Sequence, residues 1–132
     1  MMNFEEYKET VNRGNPFMRH NRIRVLEVDE THALVQAEPN ENALNTMGTV
    51  HGGLIITLAE IAAGTLVRGD GRAYVTTDTG FHFLSAGKAS EPVLARASAI
   101  RRGRKLCFIR SEVYQGERLL AAGDFTYCCL TE

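Results

Sequence analysis

One carboxylate stands inside an otherwise hydrocarbon stretch. In Leu54-Ile55-Ile56-Thr57-Leu58-Ala59-Glu60-Ile61-Ala62-Ala63-Gly64-Thr65-Leu66-Val67, Glu60 is the lone charged residue. At about 100° per residue, Thr57, Glu60 and Gly64 share one helical face and the other faces are apolar. Burying an ionised carboxylate without a partner is very costly, so Glu60 must be paired, protonated or close to water. A general base or a nucleophile meets that requirement, and so does an interface residue whose hydrogen bonds are satisfied.

The approach to this stretch is the second chemical feature. Asn45-Thr46-Met47-Gly48-Thr49-Val50-His51-Gly52-Gly53 is polar and rich in glycine. Two glycines at a helix entrance let a backbone approach a ligand and leave free N–H groups pointing outward. The helix dipole adds partial positive charge there, which suits an oxyanion developing on an attacked carbonyl. A bare Gly-Gly is more often a tight turn, and a lone histidine more often a cap. The acid two turns further on changes that balance.

A third feature is Arg101-Arg102-Gly103-Arg104-Lys105, four cations around one turn in a chain of net charge -1. Arginine forks match phosphate oxygens, and Lys88 and Arg68 are expected to add charge from neighbouring turns. The competing reading is a solvated hairpin tip that discourages aggregation. RNA is a poorer partner, because no stacking aromatics lie nearby.

These groups need a scaffold. The apolar run from 54 to 67 is too long and alanine-rich for a strand and reads as a buried helix, closed by Arg68-Gly69-Asp70-Gly71. Before it, a short amphipathic helix is expected from Asn3 to Val11, stopped by Asn12-Arg13-Gly14-Asn15-Pro16. A hairpin of Ile23 to Val28 and Ala33 to Ala37 follows, then a polar loop from Pro39 to Val50. After the helix come four strand candidates: Ala73 to Ser85, Val93 to Arg101, Leu106 to Tyr114 and Leu119 to Leu130. Turn signals separate them at 86–88, 102–104 and 115–117. One buried helix followed by a long meander predicts an α+β antiparallel sheet wrapped around that helix, the hotdog arrangement. A doubly wound sheet would need a helix between successive strands.

Composition narrows the remaining classes. At 132 residues a single domain over 1–132 is expected, large enough to bury a core. Near-neutral charge argues against nucleic acid as the main partner. No apolar run approaches the roughly 20 residues of a membrane span, and the polar start carries no signal-peptide pattern. Cys107, Cys128 and Cys129 lack metal-ligand spacing and fit packing roles in a reducing cytoplasm.

The stretch Asn45-x-x-Gly48-x-x-His51-Gly52-Gly53-x-x-x-x-Leu58-x-Glu60 resembles the phenylacetic-acid-degradation type of hotdog thioesterase. The likeness continues more weakly through Val75-Thr76-Thr77-Asp78 and Phe81-His82-Phe83-Leu84. The resemblance implies hydrolysis of an acyl-CoA thioester with no cofactor beyond the coenzyme A of the substrate. It implies that the Gly52 N–H polarises the thioester carbonyl with help from the Asn45 amide. Glu60 would be the nucleophile or the base for water, His51 would orient the loop or contact the thioester region, and Thr76 would supply a water-orienting hydroxyl. Two departures stand out: many relatives have Asp where Glu60 stands, and a branch that uses Glu tends to have Thr where this chain has Gly64. The basic turn and Lys88 would then hold the CoA phosphates.

Spacing adds a point of its own. Gly53 and Glu60 are seven residues apart, roughly 10 Å along a helix at about 1.5 Å per residue. A catalytic acid must come within about 3 Å, or one water, of the atom it serves. Two chains packed antiparallel could bring the glycine end of one to Glu60 of the other, so a site shared across a homodimer is expected. The resemblance extends that to a homotetramer. The expected substrate is a small aryl- or medium-chain acyl-CoA, with Phe81, Phe83, Met47 and Leu58 as candidate pocket residues. A non-catalytic acyl-CoA-binding module is the alternative, favoured by the missing hydroxyl at Gly64. A hydratase fits less well, since His51 followed by two glycines lacks the Asp/His pair such enzymes use.

Overall fold

A computed structural model describes residues 2–131. Its elements run α1 (Phe4–Gly14), α2 (Pro16–His20), β1 (Ile23–Val28), β2 (His32–Ala37), α3 (Gly52–Val67), β3 (Tyr74–Phe83), β4 (Val93–Arg102), β5 (Leu106–Gln115) and β6 (Arg118–Cys129). The six strands form one antiparallel sheet in the order β1-β2-β4-β5-β6-β3. The sheet curls around α3, which is the α+β hotdog arrangement.

Alternation explains which face holds the helix. In β5, Cys107, Ile109, Ser111, Val113 and Gln115 are buried while Leu106, Phe108 and Arg110 are exposed. The inward row meets Leu58, Ala59, Ala62, Ala63 and Leu66 of α3, all fully buried. Small side chains at 59, 62 and 63 let the helix settle close to the sheet. Gly52–Asp70 has the length and hydropathy of a membrane span, contrary to the expectation from run length. Here it is the wrapped core helix instead.

The N-terminal region differs from the sequence expectation. α1 continues to Gly14 rather than stopping at Val11, and a second helix follows. Asn15 ends α1 and caps α2, its side chain accepting from the Met18 N–H at 3.1 Å, with Pro16 in the first turn. Pro16 is thus a helix start as well as a stop.

β3 is the exposed edge of the sheet. Apart from Tyr74 and the partly covered Phe81, its residues are exposed along both faces. A long edge of this kind leaves backbone donors and acceptors without strand partners.

Candidate active site

Glu60 lies mid-way along α3 and is half-buried. Its Oε2 accepts two hydroxyl hydrogen bonds, from Tyr127 Oη at 2.7 Å and Thr76 Oγ1 at 3.1 Å. Thr76 of β3 and Tyr127 of β6 are register partners, so sheet pairing delivers both hydroxyls to one place. Burial, and next the charge of Glu60, push the Tyr127 phenol above its ordinary ionisation range, so it stays a donor. Tyr127 was absent from the sequence expectation. The signal available was a tyrosine on an inward strand position, whose hydroxyl must find a polar partner when buried.

Gly64 sits one turn on, and a Cβ there would lie 3.4 Å from both Glu60 Oε2 and the Tyr127 hydroxyl. The same Cβ would collide with the Arg68 guanidinium, which folds back over this position. Arg68 also donates to the Tyr74 carbonyl at 3.1 Å and lies 5.7 Å from the centre of the Tyr127 ring. A threonine at 64 would have to displace the end of the Arg68 side chain, and here hydroxyls from two strands stand beside the acid.

Glu60 opens onto a cavity of about 570 Å³ between α3 and the α1–α2 pair, lined by Tyr7, Val11, Met18, Ile61 and Arg68 among others. The expected pocket residues lie elsewhere. Leu58 is fully buried in the core and Met47 is 81% exposed, while Phe81 and Phe83 stack edge-to-face at 5.2 Å. Phe83 lies over the start of α3, where a Cβ on Gly52 would come 3.3 Å from its ring.

The helix entrance is organised by two side chains. His51 is the N-cap, its Nδ1 accepting from the Gly53 N–H at 2.8 Å, which leaves the ring proton on Nε2. The Gly52 N–H has no hydrogen-bond partner among the described residues. Asn45 ties the preceding loop: Oδ1 accepts from the N–H groups of Met47 and Thr49 at 2.9 and 3.1 Å, and Nδ2 donates to Thr49 Oγ1 at 2.7 Å. The second Asn45 amide hydrogen has no partner among the described residues.

The cations do not form one cluster within a chain. Arg102 turns inward and donates to the carbonyls of Leu66 and Val67 at 2.9 and 3.3 Å, with Asp70 at 3.8 Å. Arg101, Arg104 and Lys105 remain exposed on the β4–β5 turn. Lys88, expected on a neighbouring turn, pairs instead beside Thr49 at the opposite end of α3. That helix has 16 residues, about 24 Å of rise, so the two groups are well apart in one protomer.

A profile described as "Thioesterase superfamily" matches residues 47–122, the segment that carries the glycine entrance, α3, β3 to β5 and the start of β6. A Deinococcus radiodurans protein named "Putative esterase" is 36% identical over 95 residues, 72% of this chain and 64% of that protein. The chain thus spans less than two thirds of that relative's length. A mutant structure of the phenylacetic acid degradation protein PaaI from Thermus thermophilus superposes with a TM-score of 0.84 at 28% identity, covering 88% of this chain and 100% of that one. A Streptococcus pneumoniae protein named "Hypothetical Thioesterase Protein", solved with coenzyme A, gives 0.78 at 23% identity, covering 83% and 90%.

Proposed function

The chain belongs to the thioesterase superfamily, and from that premise we propose that it hydrolyses an acyl-CoA thioester to a free acid and CoA. The observation that carries the reading is Glu60, held by two hydroxyls at the edge of a cavity, in a protein whose central helix opens with an unpartnered Gly52 N–H. Oε1 is free to attack the carbonyl carbon or to take a proton from an attacking water. The Gly52 N–H, with the remaining Asn45 hydrogen, stabilises the tetrahedral oxyanion. Collapse of that intermediate breaks the C–S bond, and the CoA thiolate leaves and is protonated. Where water attacked, the acid is formed in that step; where Oε1 attacked, water then hydrolyses the acyl-Glu60 anhydride to the acid and the free carboxylate.

Gly52 and Glu60 of one chain stand eight residues apart on α3, roughly 12 Å along its axis, too far to share one carbonyl. The site is therefore assembled from two copies, with the entrance of one α3 facing Glu60 of the other. The exposed β3 edge supports this, because pairing it with a second β3 would satisfy its backbone and cover its inner face. Two such dimers form a tetramer in this reading, and outward Leu106 and Phe108 offer apolar surface for that contact.

The acyl group fits the cavity beside Glu60, where Val11, Met18 and Ile61 suit a small aryl or medium-chain group. Arg101, Arg104 and Lys105 are placed to meet CoA phosphates, while Arg102 serves the helix. The hydroxyls of Thr76 and Tyr127 beside Glu60 support the catalytic reading over the binding-only alternative, which the absent hydroxyl at Gly64 favours. The free thiols of Cys107, Cys128 and Cys129 suit a reducing compartment such as the cytoplasm.

The test is thiol release from a panel of acetyl-, hexanoyl-, benzoyl- and phenylacetyl-CoA. Glu60→Gln is expected to lower kcat at least about 100-fold, the usual contribution of a positioned acid–base group. An unaltered rate in that variant removes Glu60 from the reaction.

A further inference from the structure

We propose that Tyr127 is the positioning residue of Glu60: together with Thr76 it pins Oε2, so that Oε1 is the oxygen presented for chemistry. This rests on the thioesterase reading and adds an element that the helix-entrance motif does not contain.

A carboxylate at the end of a glutamate side chain rotates through a broad, two-fold torsion, so neither oxygen is favoured by the covalent geometry. Here both hydroxyls land on the same oxygen, at 2.7 and 3.1 Å. Hydrogen bonds to a charged acceptor are stronger than neutral ones, so the pair fixes which oxygen is held and which is free. Tyr127 Oη also lies 3.1 Å from the Glu60 backbone carbonyl. With one hydrogen to give, it favours the shorter contact to the charged group.

Tyr127 is suited to this task by its own surroundings. It is fully buried, paired with Thr76 on one side and Cys107 on the other, and its ring lies beneath the Arg68 guanidinium. Only two side-chain torsions need be fixed to place its hydroxyl, and the packing fixes both. Phenylalanine would fill the same core volume, so the hydroxyl, at the one end of the ring that reaches the cavity acid, has a purpose beyond packing. Gly64 completes the arrangement by leaving room beside Oε2 that Arg68 enters without a side chain intervening.

The experiment compares wild type, Tyr127→Phe, Thr76→Val and Thr76→Ser on the same acyl-CoA panel, with crystal structures of each. Tyr127→Phe is expected to lower kcat about tenfold or more while KM stays within about threefold, since a lost positioning contact acts on the chemical step. Thr76→Val should show a smaller loss, and Thr76→Ser, which keeps the hydroxyl, should recover most of it. In the crystals, Glu60 should keep one rotamer in wild type and spread over more than one in Tyr127→Phe.

A folded Tyr127→Phe protein with kcat within twofold of wild type overturns the proposal. So does a raised KM with kcat intact, which would mark a packing or binding effect. Should Tyr127→Phe fail to fold, the exposed Thr76 pair decides, and equal rates for Val and Ser overturn it. If wild type releases no thiol from any substrate, the thioesterase reading fails. The rotamer comparison still decides the clamp in that case, because an unchanged single Glu60 rotamer in Tyr127→Phe sinks it.

Discussion

At its last turn α3 is closed by two side chains, which between them take three carbonyls. The Thr65 carbonyl takes the Tyr7 hydroxyl at 2.6 Å, and Leu66 and Val67 share the Arg102 guanidinium. At its first turn the same helix is left open. His51 satisfies the Gly53 N–H, while Gly52 keeps its own N–H free and its Cα bare beneath the Phe83 ring. Both ends carry unpaired backbone groups for the same geometric reason. At one end neighbours were recruited to quench them, and at the other a cap stops one residue short. A donor left free at the positive end of a long helix suits an anionic or polarised ligand, as the proposed reaction requires, whereas paired carbonyls at the other end serve stability.

The comparison breaks most visibly at Gly52. Proline is tolerated at the first position of a helix, and His51 already has the extended φ of -61° and ψ of 133° that a residue before proline needs. Gly52→Pro should therefore delete the free N–H, keep the fold and lower kcat about 10²–10³-fold, as loss of an oxyanion donor does. Gly52→Ala keeps the donor and adds only a methyl that Phe83 must yield to by tenths of an ångström, so it should lose much less. Equal inactivity of both would assign the effect to crowding. Co-expressing Gly52→Pro with Glu60→Gln sharpens the point, because a mixed dimer carries one intact Gly52–Glu60 pair. Recovery of activity is expected there and not in either parent.

The closed end should respond in the opposite sense. Arg102→Gln strips donors from two carbonyls near the helix C-terminus and should cost about 1–3 kcal/mol in denaturant unfolding. Its kcat should stay within about twofold of wild type. A large rise in KM for CoA thioesters with stability unchanged would return Arg102 to the phosphate-binding role expected from its place in the basic turn.

Sequence patterning carried the strands and the central helix almost to their ends, because the period-two rows of the strands and the long alanine-rich apolar run of α3 are local properties. α3 begins at Gly52 rather than Leu54, since glycine has poor helix propensity and only the His51 cap makes the first turn. The fate of the cations was not legible. Arg102 and Arg104 are two residues apart in sequence, and only the tertiary meeting of the β4–β5 turn with the end of α3 gives the first a structural task. Tyr127 was hidden for a related reason. It lies 67 residues from Glu60, and no period in the sequence records the register that pairs it with Thr76. Strand register depends on turns and on the whole hydrophobic pattern, so the acid could be singled out and Thr76 reached through the family resemblance, while Tyr127 could not.

The smallest effect belongs to Tyr7, and pH exposes it. Its hydroxyl closes α3 at Thr65, and burial pushes its ionisation up to about 12 from an ordinary 10. Near neutrality Tyr7→Phe should cost only about 1 kcal/mol, the net worth of one hydrogen bond. Above pH 10 the sign of the difference changes. The unfolded wild-type phenol ionises there while the folded one does not, so wild type loses stability as pH rises from 10 towards 12. The variant has no such group at position 7. Each unit in that window should remove up to ~1.4 kcal/mol of the wild-type advantage. Tyr74 and Tyr127 are also raised, but they titrate equally in both proteins and drop out of the difference. Denaturant unfolding of the pair at pH 8, 10 and 11 should show the gap shrinking and then reversing. A gap that stays constant across that range would mean that Tyr7 is solvated in solution and that the last turn of α3 is closed by Arg102 without it.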